Sequence, residues 1–197
     1  MALLGVLVYA HTLHAPWYLD DHSSILANDA VRNLGEAFSV ALEGDRGLTN
    51  LTFALNFALG GVRVAGYHLV NIALHLAVSC LTYLLLKRVF PGRRDLALGG
   101  SLLFVCHPVQ TQAVTYVVQR MTTLSALFFF LGLYLYVRAL ERGLPAPRGG
   151  SGAAKLRYAG ALLCGAAAVL VKQNTAVLPV ALLLFESYFV PAAAGRP

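Results

Sequence analysis

Five long apolar runs, almost free of charge, constrain this chain more than any other feature of its sequence. They cover residues 69–86, 96–105, 124–137, 158–171 and 176–190. A helix that spans a bilayer needs roughly 20 mostly apolar residues, and several of these runs reach that length with their flanks. Only 12% of the 197 residues are charged, against about 25% in soluble domains. No single water-soluble core could bury all five runs, so we expect an all-α membrane protein.

The runs predict a polytopic helix bundle with about five to six spans. The expected spans are residues 2–18, 65–86, 96–107, 121–139, 157–172 and 174–190. The first contains His11 and His14, and no basic residue precedes it, so it makes a poor signal peptide. We expect this first helix to be truncated or to start from a misplaced initiation site.

The longest polar region, residues 11–63, holds six of the nine acidic residues and is expected to be an outer loop. Its apolar residues repeat at helical spacing from Leu34 to Leu42, with Asn33 placed as a helix cap, and again from Leu48 to Leu59. Both segments are too short or too polar to span, which is typical of helices that lie along a membrane surface. We expect residues 1–197 to form one transmembrane module around this loop.

Basic residues predict the orientation of the bundle. The loops 87–95 and 138–157 hold nine of the fifteen lysines and arginines, and such loops usually face the cytoplasm. Residues 11–63, the segment 107–120 and Lys172 then share the outer side. The net charge of +6 follows from this membrane orientation, so we expect no nucleic-acid partner.

Two adjacent carboxylates, Asp20 and Asp21, follow the first apolar stretch and precede His22. Such a pair can hold a cation, or one member can act as a base while the other orients a substrate. An ordinary solvated loop is the alternative interpretation.

The segment from His107 to Arg120 is the second polar group. Pro108 can open a new helix, on which Gln112 and two later polar residues would share one side, with Arg120 at the far end. An arginine beside a membrane segment and without an acidic neighbour in sequence is a candidate phosphate ligand, although it could instead extend to the interface. Lys172 could complete a cationic pocket or could be an ordinary interface lysine.

His68, Asn71 and His75 fall on one face of the second expected span. Polar side chains are costly inside a membrane, so they should face other helices and form interhelical hydrogen bonds. A metal site is disfavoured because the two histidines lie about two helical turns apart.

Taken together, these residues resemble the membrane part of GT-C glycosyltransferases, and specifically the protein O-mannosyltransferase-like group with transmembrane and tetratricopeptide-repeat regions. The resemblance rests on five motifs in order along the chain: Asp20-Asp21-His22, the segment 66–71 with His75, the segment 107–114, Gln119-Arg120, and Lys172-Gln173-Asn174 with Leu178-Pro179.

The resemblance implies transfer of a sugar, mannose or another hexose, from a polyprenyl-phosphate donor to a protein or glycan acceptor. It implies a multi-pass protein of a bacterial inner membrane with a periplasmic active face. The implied roles are a catalytic base (Asp20), its partner (Asp21), donor-phosphate ligands (His107, Arg120, Lys172) and supporting residues (His22, His68, Asn71, His75, Gln112). The resemblance also implies one candidate cofactor, a divalent cation bound by Asp20 and Asp21.

The chain also departs from the family pattern. The family often has an acid where Gln112 stands and usually one where Gln173 stands, and these 197 residues contain no tetratricopeptide repeat. We therefore expect a fragment or the minimal half of a larger enzyme. A non-catalytic membrane scaffold and a transporter of lipid-linked substrates stay open as alternatives.

Overall fold

The computed structural model describes residues 1–42, 46–141 and 151–189, and within these ranges the chain is helical without a β-strand. The basic residues Arg142 and Arg148, which contribute to the predicted orientation, lie outside the described ranges, as do two acids of the polar loop, Glu43 and Asp45. The prediction of an all-α membrane protein is confirmed.

The first helix is shorter than the expected span 2–18. Helix α1 (Ala2–Tyr9) continues as a 3₁₀ turn (Ala10–His14), and the chain becomes extended at Ala15. Gly5 lets α1 pack closely against its neighbours, because a Cβ at this position would lie 3.1 Å from Val105 Cγ1.

The described residues of the polar loop contain a π-helical turn (His22–Leu26) and three α-helices: α2 (Asp29–Arg32), α3 (Leu34–Ser39) and α4 (Gly47–Gly60). The predicted cap of α3 is confirmed, since the Asn33 side chain accepts hydrogen bonds from the amides of Gly35 and Glu36. The repeat from Leu48 to Leu59 lies within α4, as predicted. The position of these helices along a membrane surface stays a prediction.

The remaining helices are α5 (Val64–Val89), α6 (Arg94–Cys106), α7 (Gln110–Thr115), α8 (Arg120–Leu140), α9 (Gly152–Val171) and α10 (Leu178–Phe189). Within the described residues, three helices are long and apolar enough to cross a membrane: α5, α8 with its preceding 3₁₀ turn (Val117–Gln119), and α9. The expected number of five to six spans is therefore too high for these ranges.

Helix breakers shorten the other expected spans. Helix α6 ends at Cys106, just before Pro108, and has 13 residues. The segment Gln173–Val177 is a 3₁₀ turn, so the expected span 174–190 starts only at Leu178 and α10 has 12 residues.

Helices α8 and α9 pack through small residues. A Cβ at Gly132 would lie 3.3 Å from the carbonyl oxygen of Ala161 and 3.4 Å from Cys164 Cβ. Membrane helices commonly use such residues to bring their backbones together.

The bundle has two distinct ends. At one end, Arg88 near the end of α5 pairs with Glu141 after α8 at 2.9 Å. The opposite end carries the beginnings of α5 and α8 together with residues 15–28, 107–119 and 172–177. The three polar groups singled out in the sequence thus lie at the same end, as their expected shared side requires.

Candidate active site

Residues 15–19 and 108–116 form the two walls of a cavity of about 730 Å³ at this end of the bundle. One wall is Ala15, Pro16, Tyr18 and Leu19, and the other is made by six residues from Pro108 to Tyr116. Gln112 is on the second wall. The segment just before Asp20 and the segment that follows His107 therefore meet across one cavity.

Asp20 is exposed and is tied to the cavity wall through Tyr116. Its backbone amide donates to Tyr116 Oη at 2.9 Å, and its carboxylate also interacts with that hydroxyl. Burial, together with the negative charges of Asp20 and Asp21, raises the pKa of the Tyr116 phenol. The hydroxyl therefore stays protonated at neutral pH and can donate a hydrogen bond beside Asp20.

Sequence reasoning missed Tyr116 because it predicted one helix from Pro108 to Arg120. Helix α7 ends at Thr115, and Tyr116 is extended, with φ −81° and ψ 112°. Gln112, Thr115 and Gln119 consequently do not share one helical face. An aromatic residue inside a polar motif was the signal available, but only the break in the helix reveals its position.

Asp21 is buried, with 1% of its surface exposed. Its Oδ2 accepts a hydrogen bond from the Tyr18 amide at 3.0 Å, and its Oδ1 accepts one from the Val118 amide at 2.8 Å. Burial raises the pKa of this carboxyl, although the two amides oppose the change. Asp21 thus fastens the Asp20 loop to the segment before α8.

The two neighbouring carboxylates have different surroundings. His22, the next residue, is exposed. Both carboxylate oxygens of Asp21 already accept amide hydrogen bonds, so a cation at the predicted pair would draw mainly on Asp20. In the part of the chain that the structure describes, no three His, Cys, Asp or Glu side chains are grouped to hold a metal ion.

His68, Asn71 and His75 are buried and hold three other segments against α5. Each bonds a backbone carbonyl: His68 Nε2 that of Ala15 at 3.1 Å, Asn71 Nδ2 that of Val117 at 3.3 Å, and His75 Nε2 that of Val105 at 3.2 Å. The prediction of hydrogen bonds between helices is confirmed for Asn71 and His75, whose partners lie in a 3₁₀ turn and in α6, whereas the partner of His68, Ala15, lies in extended chain. They position both cavity walls without lining the cavity.

Arg120 is fully buried at the start of α8. Its Nε donates to Asn71 Oδ1 at 2.7 Å, its Nη1 to the Thr52 carbonyl at 3.1 Å and its Nη2 to the Tyr67 carbonyl at 3.0 Å. Its guanidinium carbon lies 4.5 Å from the centre of the Phe53 ring. The arginine joins α4, α5 and α8.

His107 and Lys172 have separate surroundings. His107 is exposed, and its Nδ1 accepts the Val109 amide at 3.2 Å. It borders another cavity, of about 350 Å³, which neither Arg120 nor Lys172 lines. Lys172 Nζ donates to Thr122 Oγ1 at 2.8 Å, and Thr122 in turn donates to Gln119 Oε1 at 2.8 Å. The three predicted phosphate ligands are thus at one end of the bundle, and of the three only His107 lines the cavity of about 350 Å³.

Comparison with known proteins identifies the family. Mouse protein O-mannosyl-transferase TMTC1 is 32% identical over 208 residues, covering 98% of this chain and 22% of that protein. The chain belongs to the TMTC family. Human TMTC2 is 31% identical over 90% of the chain and 22% of its own length, and Xenopus laevis tmtc2 is 36% identical over 68% of the chain and 18% of its own length.

The chain spans about a fifth of the length of these TMTC relatives. Their similarity and the apolar helices identify it as a multi-pass membrane protein. These three relatives come from animals, so the bacterial inner membrane stays a prediction. No family model matches the chain, and no solved structure matches it.

Proposed function

We propose that this chain is the membrane part of a glycosyltransferase that moves mannose or another hexose from a polyprenyl-phosphate donor to a protein or glycan acceptor on the outer face of the membrane. The names of its relatives, protein O-mannosyl-transferases, support the transfer of mannose to protein. The cavity of about 730 Å³ supports the presence of a site for sugar transfer.

The observation that carries the proposal is Asp20 beside Tyr116 at the edge of the large cavity. An exposed carboxylate can take the proton of an acceptor hydroxyl as the hydroxyl attacks the sugar. The hydroxyl oxygen forms a bond to the anomeric carbon, and the bond from that carbon to the phosphate oxygen breaks. The bonding electrons leave with the lipid phosphate. Tyr116 would hold Asp20 in position for this step.

The cavity has the size and composition that such a substrate needs. Binding sites for small molecules commonly enclose about 300–1,000 Å³, and this one has about 730 Å³. Its walls are mainly apolar, and Thr111, Gln112 and Thr115 offer hydrogen-bonding groups. This combination suits a sugar that reaches the site together with a lipid or a peptide.

The predicted phosphate ligands divide into two roles. Lys172 and His107 keep polar nitrogens at the same end of the bundle, and we retain them as candidates for contact with the donor. The contacts of Arg120 instead support a positioning role, because its hydrogen bonds go to α4 and α5. Its positive charge still favours an anion nearby.

A non-catalytic scaffold that binds the lipid donor is the second candidate. Gln112 lies on the cavity wall where members of the family often have an acid. Glutamine at this position leaves the cavity wall without that acid, and Asp20 is then the exposed carboxylate next to the cavity. A scaffold that only binds the lipid donor would not need a second acid.

The test is transfer by the full-length protein reconstituted in lipid vesicles, with a polyprenyl-phosphate-linked mannose and an acceptor peptide. Asp20→Asn should reduce transfer by about 100-fold or more, since it removes the base, while membrane insertion stays normal. Asp29→Asn, which changes another exposed acid of the same loop, is the matched control and should keep full transfer. Equal transfer by the Asp20→Asn protein and the unmodified protein would remove Asp20 from the mechanism. Donor binding without transfer by the unmodified protein would favour the scaffold.

A further inference from the structure

A second cavity, of about 120 Å³, lies at the amino-terminal end of α4. Val118 lines it, two residues after Tyr116 of the large cavity. The Val118 amide is the group that binds Asp21. The two cavities are therefore neighbours along one short segment, and the acidic pair is attached to that segment.

The amino-terminal end of α4 carries the partial positive charge of the helix dipole. The helix has 14 residues, and its N-cap residue, Arg46, provides no side-chain cap. The first amides of a helix have no partner within the helix, and together with the helix dipole they favour an anion.

Thr49 supplies an independent sign of a ligand. Its side chain lines the small cavity, only 2% of the residue is exposed, and its Oγ1 has no hydrogen-bond partner within residues 1–42, 46–141 and 151–189. Leaving a buried hydroxyl without a partner is unfavourable. An anionic oxygen in the cavity would accept a hydrogen bond from this hydroxyl.

Two arginines add positive charge around the same cavity. Arg46 lines it, is exposed, and forms no ion pair with any residue in the described ranges. Its φ of +73° places its backbone in the left-handed region, which is unusual for a residue other than glycine. Phe53 forms another wall, and the guanidinium of Arg120 lies 4.5 Å from the centre of its ring. Among the residues that the structure describes, no carboxylate lines the cavity.

We propose that the amino-terminal end of α4 binds a phosphate group, held by the helix amides, the Thr49 hydroxyl and the Arg46 guanidinium. These groups are all donors, and the planar fork of an arginine matches phosphate oxygens. The small enclosed volume suits a single phosphate group, whereas a hexose fits the larger neighbour.

The inference that this phosphate belongs to the lipid-linked donor rests on the proposed function. In that reaction the phosphate leaves as Asp20 takes the proton of the acceptor. A phosphate bound beside Val118 would lie next to the segment that carries Tyr116 and binds Asp21. The donors at α4 would then stabilise the negative charge that develops on the leaving oxygen.

The experiment measures ligand binding by the full-length protein in nanodiscs. The probes are inorganic phosphate, farnesyl phosphate, and farnesol, which has the same chain without the phosphate. The variants are Arg46→Gln and Thr49→Val, which remove one donor each. Arg63→Gln is the matched control, because Arg63 is an exposed arginine beyond the other end of α4.

We expect the unmodified protein to bind farnesyl phosphate and not farnesol. The Kd for farnesyl phosphate should rise about 10-fold or more in Arg46→Gln and in Thr49→Val, as expected for the loss of a bond to a charged group, and should be unchanged in Arg63→Gln. Without ligand, Thr49→Val should be as stable as the unmodified protein, because the hydroxyl it removes has no partner. This result separates lost binding from lost folding.

Farnesyl phosphate binding that exceeds inorganic phosphate binding assigns the site to a lipid donor, and equal binding assigns it to soluble phosphate. Both results support the site if Arg46 and Thr49 are required. Equal phosphate binding by all four proteins, or no binding by any, would overturn it.

Asp20→Asn should keep phosphate binding while losing transfer. Absence of transfer by the unmodified protein, with phosphate binding that still needs Arg46, would refute the proposed function and leave the phosphate site.

Discussion

Arg120 Nε donates to Asn71 Oδ1 at 2.7 Å, and both residues are completely buried. This hydrogen bond joins α8 to α5 next to the segment that carries Tyr116 and Val118. In the part of the chain that the structure describes, Arg120 has no carboxylate partner. Carbonyl oxygens, one amide oxygen and the faces of Phe53 and Tyr67 stabilise its charge instead.

Arg120→Lys should destabilise the protein by about 2–4 kcal/mol, because a single ammonium cannot replace bonds that leave a planar guanidinium in three directions. Thermal unfolding in detergent measures the effect. Arg138→Lys is the control, since Arg138 is partly exposed and pairs with Glu141 at 3.6 Å, and it should cost less than about 1 kcal/mol. Equal effects of the two substitutions would contradict the positioning role of Arg120.

Asp21 should make stability depend on pH in a defined direction. Burial raises its pKa above the ordinary value of 3.8, so the folded protein holds this proton more tightly than the unfolded chain. The contribution of Asp21 is then fully present below pH 3.8 and is lost as pH rises through the folded pKa.

The measurement compares the free energy of unfolding of the unmodified protein with that of Asp21→Asn as pH increases from the acid side. The difference, unmodified minus variant, should fall with pH and then become constant. Asp29→Asn, the same substitution at an exposed site, is the control. A difference that grows with pH would show that hydrogen bonding from the Tyr18 and Val118 amides outweighs burial.

Tyr116→Phe should reduce sugar transfer by about 10-fold while costing less than about 1.5 kcal/mol of stability. The ring remains, but the hydroxyl that accepts the hydrogen bond of the Asp20 amide is lost. Transfer assays and thermal unfolding test the two effects separately. Tyr188→Phe removes the hydroxyl of a tyrosine that is 78% exposed and should change neither. Full transfer by Tyr116→Phe would show that Asp20 needs no such support.

His75 and His107 should respond differently to truncation. His75 is buried, with Tyr9 and Phe104 ring centres 5.3 and 5.4 Å from its own, so His75→Ala should cost about 2–4 kcal/mol through a cavity and an unpaired carbonyl. His107→Ala changes an exposed residue and should cost less than about 0.5 kcal/mol. Thermal unfolding of the two variants provides the comparison, and similar losses would contradict it.

The face formed by His68, Asn71 and His75 was predictable because helix geometry fixes which side chains share a side. Polar residues inside an apolar helix must then find partners. The identity of those partners was not predictable. They are backbone carbonyls, which look alike in every sequence, and they come from segments 30 to 53 positions away.

The division of roles between Asp20 and Asp21 could not be predicted either. The two residues are chemically the same and adjacent, and only the Val118 amide, 97 positions away, buries one of them in a fixed hydrogen bond. Likewise Arg120 lacks an acid in its own segment, which suggested a phosphate ligand. Its actual partners, such as the Thr52 carbonyl, are uncharged and distant in sequence. Hydropathy found the apolar stretches, but local breakers such as Pro108 set the helix lengths.

The contacts of Arg120 also bear on how the protein enters the membrane during synthesis. Thr52, Tyr67 and Asn71, which hold the guanidinium, all precede it in the chain and leave the ribosome first. When α8 emerges, its charged first residue meets neighbours that are already present, so it need not face lipid alone. A change that delays the insertion of α5 would therefore leave this arginine without its hydrogen-bond partners when α8 inserts.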